Sequence, residues 1–407
     1  MTKQQAQKTE WTVREQKEHL DRRANFFILD VRNRDEFSVW KIEGWKTPPT
    51  LNVPYFEMYE KGGKDDFIES IIAYIEIELL GQLPKDRPIL AVCSKGNTSA
   101  YVAEGLCQLG YDAFNLQGGM QAWGNFYEIN PVTESRELSV YQISRPARGC
   151  LSYIIVSDGQ AVVIDPLRHI ETYLDIASAK GFQIEHIMET HGHADHISGG
   201  SKLAKQLNRR YYLHPYDGIH LLDMLPARIP FEYLRDGQAL SVGKAKIQTL
   251  HIPGHTLGNV AYLLNEAYLF TGDSIFINSI ARPDLGGRGE TWARLHYHSL
   301  RRLLDFPDTT FVLPGHFSTP REANVAGLFM ASLGELKEKN EGLHMAQKSE
   351  DAFVQYILGS LPEFPSQYVE IKRVNAGLLL VDEVKASELE LGKNVCALAQ
   401  AYETEST

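Results

Sequence analysis

Between residue 24 and about residue 130, short apolar runs alternate with longer stretches in which apolar positions recur at helical spacing. Phe26-Phe27-Ile28-Leu29, Leu51-Asn52-Val53, Ile89-Leu90-Ala91-Val92 and Ala113-Phe114-Asn115-Leu116 read as strands. Asp65 and Asp66 stand where a helix cap belongs. They precede Phe67, Ile68, Ile71, Ile72, Ile75 and Leu79, and Gly81 stops that helix. Ser99 to Leu109 reads as another helix, ended by Gly110. Strand–helix alternation predicts an α/β unit: a parallel sheet with helices on both faces.

Pro131 to Arg136 breaks the pattern and reads as a polar linker. From Leu138 onward, many short strands are followed by occasional helices, as in an α+β domain. Ile184 to Glu189 alternates apolar and polar positions; Ile247 to Leu250, Ala267 to Phe270 and Thr310 to Leu313 are further strand-like runs. Val325, Leu328, Phe329 and Leu336 fit one face of a helix. Phe353, Val354, Ile357 and Leu358 fit another, before Pro362 and Pro365 interrupt. The expected organisation is a first domain at 1–130, a linker at 131–136 and a second domain at 137–407. Its tail, from about residue 320, is an extension packed on that domain, with Glu403 to Thr407 frayed.

Length agrees with this division, because single cores rarely grow beyond about 250–300 residues and the chain has 407. Met1 to Arg23 is polar, is expected to be partly disordered and lacks the apolar centre of a signal peptide. No apolar run approaches the roughly 18 residues of a membrane span, so no membrane partner is expected. Four cysteines are too few for a disulfide framework in such a chain, which fits a reducing, cytoplasmic setting. A net charge of −11 argues against nucleic acid as a ligand. Isolated cations such as Arg282 and Arg288 remain candidates to mark a pocket for a small anion. Homo-oligomerisation stays open.

The chemistry concentrates in Thr190-His191-Gly192-His193-Ala194-Asp195-His196, on a loop at a strand end. Side chains two apart on an extended chain point the same way, so His191 and His193 can close on one ion. Asp195 and His196 can then turn toward a neighbouring position. Imidazole and carboxylate suit zinc or iron. His255, Asp273 and His316 each follow a predicted strand and sit beside a glycine that permits a sharp turn. A second locus follows the strand Ile89–Val92. There Cys93 opens the loop Ser94-Lys95-Gly96-Asn97-Thr98 before a helix start. A curled loop aims successive N–H groups at one point, the helix adds its positive end and Lys95 adds a cation. All favour thiolate and make Cys93 a candidate nucleophile that can also hold a persulfide sulfur. Cys107, Cys150 and Cys396 read as packing or tail residues.

The four His/Asp motifs, in this order, resemble the metallo-β-lactamase superfamily over roughly residues 138–320, which implies an αββα sandwich. Gly149-Cys150-Leu151-Ser152-Tyr153, Val163-Ile164-Asp165-Pro166, Pro253-Gly254-His255-Thr256 and Ala281-Arg282-Pro283-Asp284-Leu285 are most similar to its persulfide dioxygenases. Leu29-Asp30-Val31-Arg32, Asp35-Glu36-Phe37, Ile42-Glu43-Gly44, Leu51-Asn52-Val53-Pro54 and Gly118-Gly119-Met120-Gln121-Ala122-Trp123 resemble the rhodanese family over about residues 10–130, with Cys93 at its active-site position. The rhodanese resemblance implies sulfur transfer through a cysteine persulfide. The loop lacks the arginines of thiosulfate-using rhodaneses, which weakens thiosulfate as donor.

The dioxygenase resemblance implies one Fe(II) per chain on His191, His255 and Asp273, with His193, Asp195, His196 and His316 orienting ligands and water. It also implies that Arg282 and Thr256 contact a low-molecular-weight thiol persulfide, oxidised with O₂ to sulfite and thiol. The rhodanese-like unit would then deliver persulfide or convert sulfite to thiosulfate. The alternative, resembling glyoxalase II, is a thioester hydrolase with two Zn ions. There His191, His193 and His255 hold one ion, Asp195, His196 and His316 the other, and Asp273 bridges. Phe317 follows His316, where glutathione-using members carry an aromatic hydroxyl shortly after this histidine. Coenzyme A, bacillithiol or another small thiol therefore competes with glutathione as carrier.

Overall fold

The computed structural model describes residues 9–402, so the tail segment Glu403–Thr407 lies outside the described residues, as do residues 1–8. The chain divides into two compact units, Met1–Phe126 and Tyr127–Thr407.

The first unit is the expected α/β fold. Its strands are β1 (Glu10–Trp11), β2 (Phe27–Asp30), β3 (Thr50–Asn52), β4 (Ile89–Val92) and β5 (Ala113–Leu116). They form one parallel sheet in the order β1-β5-β4-β2-β3. Leu29, Ile89, Ala91, Val102 and Leu106 meet in one core. Each leucine, isoleucine or valine among them, fully buried, contributes about 1.5–3 kcal/mol. Asp66 caps the helix Phe67–Tyr74 by accepting from the Glu69 amide at 3.0 Å. Sequence pattern missed β1 and the helix Val13–Asp21, where partial disorder was expected. A two-residue strand carries no alternation to read. The helix buries only Val13, Gln16 and Leu20, and it is started by a reciprocal Thr12–Glu15 cap.

The second unit packs two sheets face to face. Strands β6 (Glu128–Glu134), β7 (Ser139–Arg145), β8 (Cys150–Ser157), β9 (Gln160–Ile164), β10 (Gln183–Met188) and β11 (Arg210–Leu213) belong to the first sheet. A short hairpin, β12 (Ile219–His220) with β13 (Leu225–Pro226), precedes its last strand, β14 (Glu232–Tyr233). The second sheet runs in order through β15 (Ala239–Val242), β16 (Ala245–His251), β17 (Val260–Leu264), β18 (Tyr268–Gly272), β19 (Phe311–Pro314) and β20 (Ala331–Ser332). Tyr153, Ile155, Val162, Tyr262, Phe270 and Leu313 fill the space between the sheets. Helices Glu171–Lys180 and Gly200–Leu207 bury Tyr173, Ile176 and Leu203 against the outer face of the first sheet. Helices Gly289–Leu304 and Glu350–Gly359 bury Leu300, Leu303 and Phe353 against the outer face of the second. This is the αββα sandwich.

Two expectations are corrected. The segment read as a linker is β6, and the division falls after Phe126 rather than at 131–136. β6 is the edge strand of its sheet, where Pro131 is tolerated and no residue is fully buried, so strand and linker look alike in sequence. Val325 to Phe329 is a turn, not a helix face. Asn324 Oδ1 accepts from the Ala326 and Leu328 amides, Gly327 adopts φ 76°, and Phe329 stacks on Phe317 at 3.7 Å. The helix starts only at Leu333, behind a Ser332–Glu335 cap. Among the described residues, no helix is long and apolar enough to cross a membrane.

Candidate metal centre and sulfur-transfer loop

Four strand ends deliver the metal-type residues to one buried place. β10 leads into His191, β16 into His255, β18 into Asp273 and β19 into His316. His255 Nε2 lies 3.3 Å and His191 Nε2 3.8 Å from Asp273 Oδ2. All three atoms are buried and lack a hydrogen-bond partner. Buried polar atoms left unpaired cost free energy, and a shared cation removes that cost.

The opposite side of each group is held. Thr190 Oγ1 donates to Asp165 Oδ2 at 2.8 Å, so at 2.9 Å from His191 Nδ1 it accepts that ring's proton. His255 Nδ1 donates to the Arg282 carbonyl at 2.8 Å, and His316 Nδ1 donates to Asp273 Oδ1 at 2.6 Å. Each arrangement puts the proton away from the centre and a lone pair toward it.

The remaining candidates largely engage one another. His316 Nε2 stands 2.8 Å from Asp195 Oδ2, and His196 Nδ1 stands 3.1 Å from Asp195 Oδ1. His193 Nε2 faces Glu189 Oε2 at 3.0 Å and Asp165 Oδ1 at 3.3 Å. His193 Nδ1 and His196 Nε2 are buried without partners. Two cysteines that the sequence left as packing or tail residues border this set. Cys150 Sγ is 3.5 Å from Asp195 Oδ2, and Cys396 clusters with Asp273 and His316. Spacing gave no signal for either: β8 starts far from the histidine motif in sequence, and Cys396 lies near the end of the chain.

In the first unit, β4 is followed directly by Cys93, which is 6% exposed. Its Sγ accepts from the Gly96 amide at 3.1 Å and the Ser99 amide at 3.4 Å, ahead of the helix Asn97–Gln108. The Cys93 carbonyl accepts from the Met120 amide and the Ser94 carbonyl from the Gln121 amide, both at 2.9 Å. Gly119 has φ 57°, and a Cβ there would strike the Cys93 carbonyl and the Gly96 amide. Ser99 and Asn115 were not singled out from sequence. Ser99 Oγ lies 3.1 Å from Cys93 Sγ and donates to Asn115 Oδ1 at 2.7 Å. Ser94 is tied to Glu36 Oε1 at 3.0 Å, and Lys95 is exposed.

The Rhodanese-like domain pattern matches residues 12–126, and the Metallo-beta-lactamase superfamily pattern matches residues 145–316. "Probable metallo-hydrolase YqgX" of Bacillus subtilis is 30% identical over 179 residues, which is 40% of this chain and 83% of that protein. The chain belongs to the metallo-β-lactamase superfamily and carries a rhodanese-like domain in front. A "Hydroxyacylglutathione hydrolase" of Rhodospirillum rubrum is 33% identical over 159 residues, covering 39% of this chain and 57% of that one. A solved metallo-beta-lactamase from Staphylococcus aureus superposes with a TM-score of 0.54 at 28% identity, covering 61% of this chain and 74% of that chain.

In this metallo-β-lactamase domain the C-terminal extension braces the metal loop. Asn375 Nδ2 donates to the carbonyls of His193 and His196, both at 2.9 Å. Glu390 Oε1 accepts from the Ile197 amide at 2.8 Å, and Arg148 reaches the Asp195 carbonyl as well as the Glu390 carbonyl.

Arg282 and Thr256, expected at a thiol cosubstrate, have other duties. Arg282 is fully buried, pairs through Nε and Nη2 with both oxygens of Asp284, and donates to the carbonyls of Pro362, Glu363 and Val395. A guanidinium has five N–H donors, and all are engaged. Thr256 Oγ1 donates to Asp217 Oδ2 at 2.6 Å. Asp217, absent from the sequence reading, also accepts from the Gly192 amide at 2.7 Å and the Gly258 amide at 2.9 Å. It thereby pins the His191 loop to the His255 loop. Beside them opens a small cleft, with a cavity volume of about 40 Å³, walled by Leu213, Ile219, Leu221 and Ile229 and floored by His191 and His193.

Proposed function

We propose that the second domain is a mononuclear Fe(II) persulfide dioxygenase and the first a sulfurtransferase acting through Cys93. The observation that carries this reading is the convergence of three unpartnered buried atoms, His191 Nε2, His255 Nε2 and Asp273 Oδ2. Two imidazoles and one carboxylate fit non-haem Fe(II). Iron held there supplies the electron-transfer chemistry that dioxygen requires and a soft enough partner for reduced sulfur. The protein supplies the rest. Thr190 and the Arg282 carbonyl fix the two imidazoles, His316 fixes the carboxylate, and the apolar cleft walls exclude bulk water. The reaction balances as R–S–SH, dioxygen and water becoming R–SH, sulfite and a pair of protons. At Cys93, the thiolate attacks the outer sulfur of a donor persulfide. The S–S bond breaks, the carrier thiolate leaves, and the Gly96 and Ser99 amides hold the sulfur that remains. A thiol or sulfite acceptor then takes that sulfur and releases the Cys93 thiolate.

Anaerobic loading with Fe(II), followed by oxygen-electrode measurements with a thiol persulfide, tests the reading. Uptake tracking iron content supports it; uptake equal to the metal-free protein rejects it. A second reading, a dinuclear zinc thioester hydrolase, is favoured by the unpartnered His193 Nδ1 and His196 Nε2 and by the hydroxyacylglutathione hydrolase relative. Elemental analysis separates the two: about one iron per chain supports the first, about two zincs the second.

A further inference from the structure

The cleft beside the metal residues has one lysine or arginine in its lining, Lys372, on the helix Gln367–Asn375 of the C-terminal extension. The chain as a whole is acidic, with a net charge of −11, and the cations nearby are committed elsewhere. Arg373, next in sequence, is locked to both oxygens of Asp223 at 2.7 and 2.8 Å. Arg282 has no donor left. The Lys372 ammonium, in contrast, makes no hydrogen bond or ion pair among the described residues. Asp217 is the acid closest to it in effect, but the Asp217 oxygens are occupied by the Gly192 and Gly258 amides and by Thr256. Burial disfavours the charged ammonium, and Asp217 and then Cys396 oppose that pull. The lysine charge is felt at His220, which lines the cleft from the β12–β13 hairpin, and at the metal-type residue His255, where it adds to the effect of burial.

We infer that Lys372 is the anion-recognition residue of this cleft, binding a small oxyanion next to the metal residues. An ammonium with three free donors in a partly desolvated cleft has one obvious complement, a carboxylate or an oxyanion of sulfur. The inference rests on the proposed function for the source of that anion. It is either the carboxylate of the thiol carrier or the sulfite product. It also reassigns to Lys372 the duty expected of Arg282.

The test uses anaerobic calorimetry of the full chain with 3-mercaptopropionate, its amide and inorganic sulfite, comparing the native protein with Lys372→Met, Lys372→Gln and Lys372→Arg. A charge-assisted hydrogen bond contributes about 1.5–3 kcal/mol, which is roughly a 10- to 150-fold change in affinity. Carboxylate recognition is supported when the native protein prefers the acid to the amide by about tenfold or more, the Met and Gln variants lose that preference and Arg keeps it. Sulfite recognition is supported when sulfite binding falls by a similar factor in the Met and Gln variants and survives in Arg. The inference is overturned if the native protein binds neither anion, or if the Met and Gln variants bind both as the native protein does. None of these readings requires oxygen uptake. A protein that recognises anions through Lys372 but never consumes oxygen keeps this inference and loses the dioxygenase proposal.

Discussion

His255 Nδ1 donates to the carbonyl oxygen of Arg282 at 2.8 Å, so the residue expected to grip substrate with its side chain instead aims a metal-type histidine with its backbone. The side chain fixes that backbone by joining Asp284 to the Pro362, Glu363 and Val395 carbonyls. Arg282→Met should therefore weaken metal binding by about 10–100-fold, the range for losing a group that orients a ligand. It should also destabilise the domain, because the partly exposed Asp284 carboxylate and the Pro362, Glu363 and Val395 carbonyls all lose their donors. Chelator competition and thermal denaturation read the two effects. A variant with native metal affinity would return Arg282 to a purely structural role.

The one-metal and two-metal readings diverge at single residues. His191→Ala removes one of three unpartnered atoms and should leave the chain without iron. His196→Ala removes a group hydrogen-bonded to Asp195 and should leave iron content close to native, with lower turnover. In a dinuclear hydrolase, His196→Ala instead halves the zinc content. Metal analysis of the two variants after identical loading decides between these patterns.

Cys93 and Gly119 make a pair of tests in the first unit. Cys93→Ser should abolish transfer of sulfane sulfur and leave oxygen uptake by the second domain intact. Gly119→Ala keeps the thiol but drives a methyl group into the Cys93 carbonyl and strains a backbone at φ 57°. It should lower the rate of persulfide formation on Cys93, followed by mass spectrometry as the gain of one sulfur. Native persulfide formation in Gly119→Ala would show that the loop tolerates distortion.

Local pattern was enough for most of the strands that carry the centre. A ligand-type residue beside a glycine at the end of an alternating run is legible because strand, turn and ligand occupy one short stretch. His191, His255, Asp273 and His316 stand out this way as candidates, and Cys93 by the same logic after β4. What holds these residues in place was not legible. Asn375 reaches the His193 carbonyl across 182 residues, and Arg148 the Glu390 carbonyl across 242. Asp217 sits in an irregular segment whose three donors come from two other loops. Such contacts depend on how the extension folds back, which no local periodicity encodes. Arg282 shows the complementary failure: sequence identified an important arginine but not where its donors would go. Pro131 misled for a physical reason, since an edge strand tolerates the residue that usually marks a break.

Glu390 makes the attachment of the extension sensitive to acid. Its carboxylate is buried, lies 2.9 Å from Arg145 and 2.8 Å from Arg168, and accepts the Ile197 amide beside the metal loop. Burial alone would raise its pKa; Arg145, Arg168 and Arg148 outweigh burial and hold it at about 2. The ordinary value is 4.5, so between these two values the unfolded chain binds the proton and the folded chain does not. Stability then rises with pH across that window. The contribution is complete above about pH 4.5 and lost as pH falls through about 2. Glu390→Gln removes the buried carboxylate that Arg145 and Arg168 share, although Arg168 keeps its ion pair with Glu383, and should cost about 3–5 kcal/mol at neutral pH. The gap between native and variant should narrow as pH falls through the same window, because the native carboxyl is then itself protonated. Denaturant titrations of both proteins at a series of pH values provide the measurement. A gap that stays constant down to pH 2 would show that Glu390 acts through shape rather than charge.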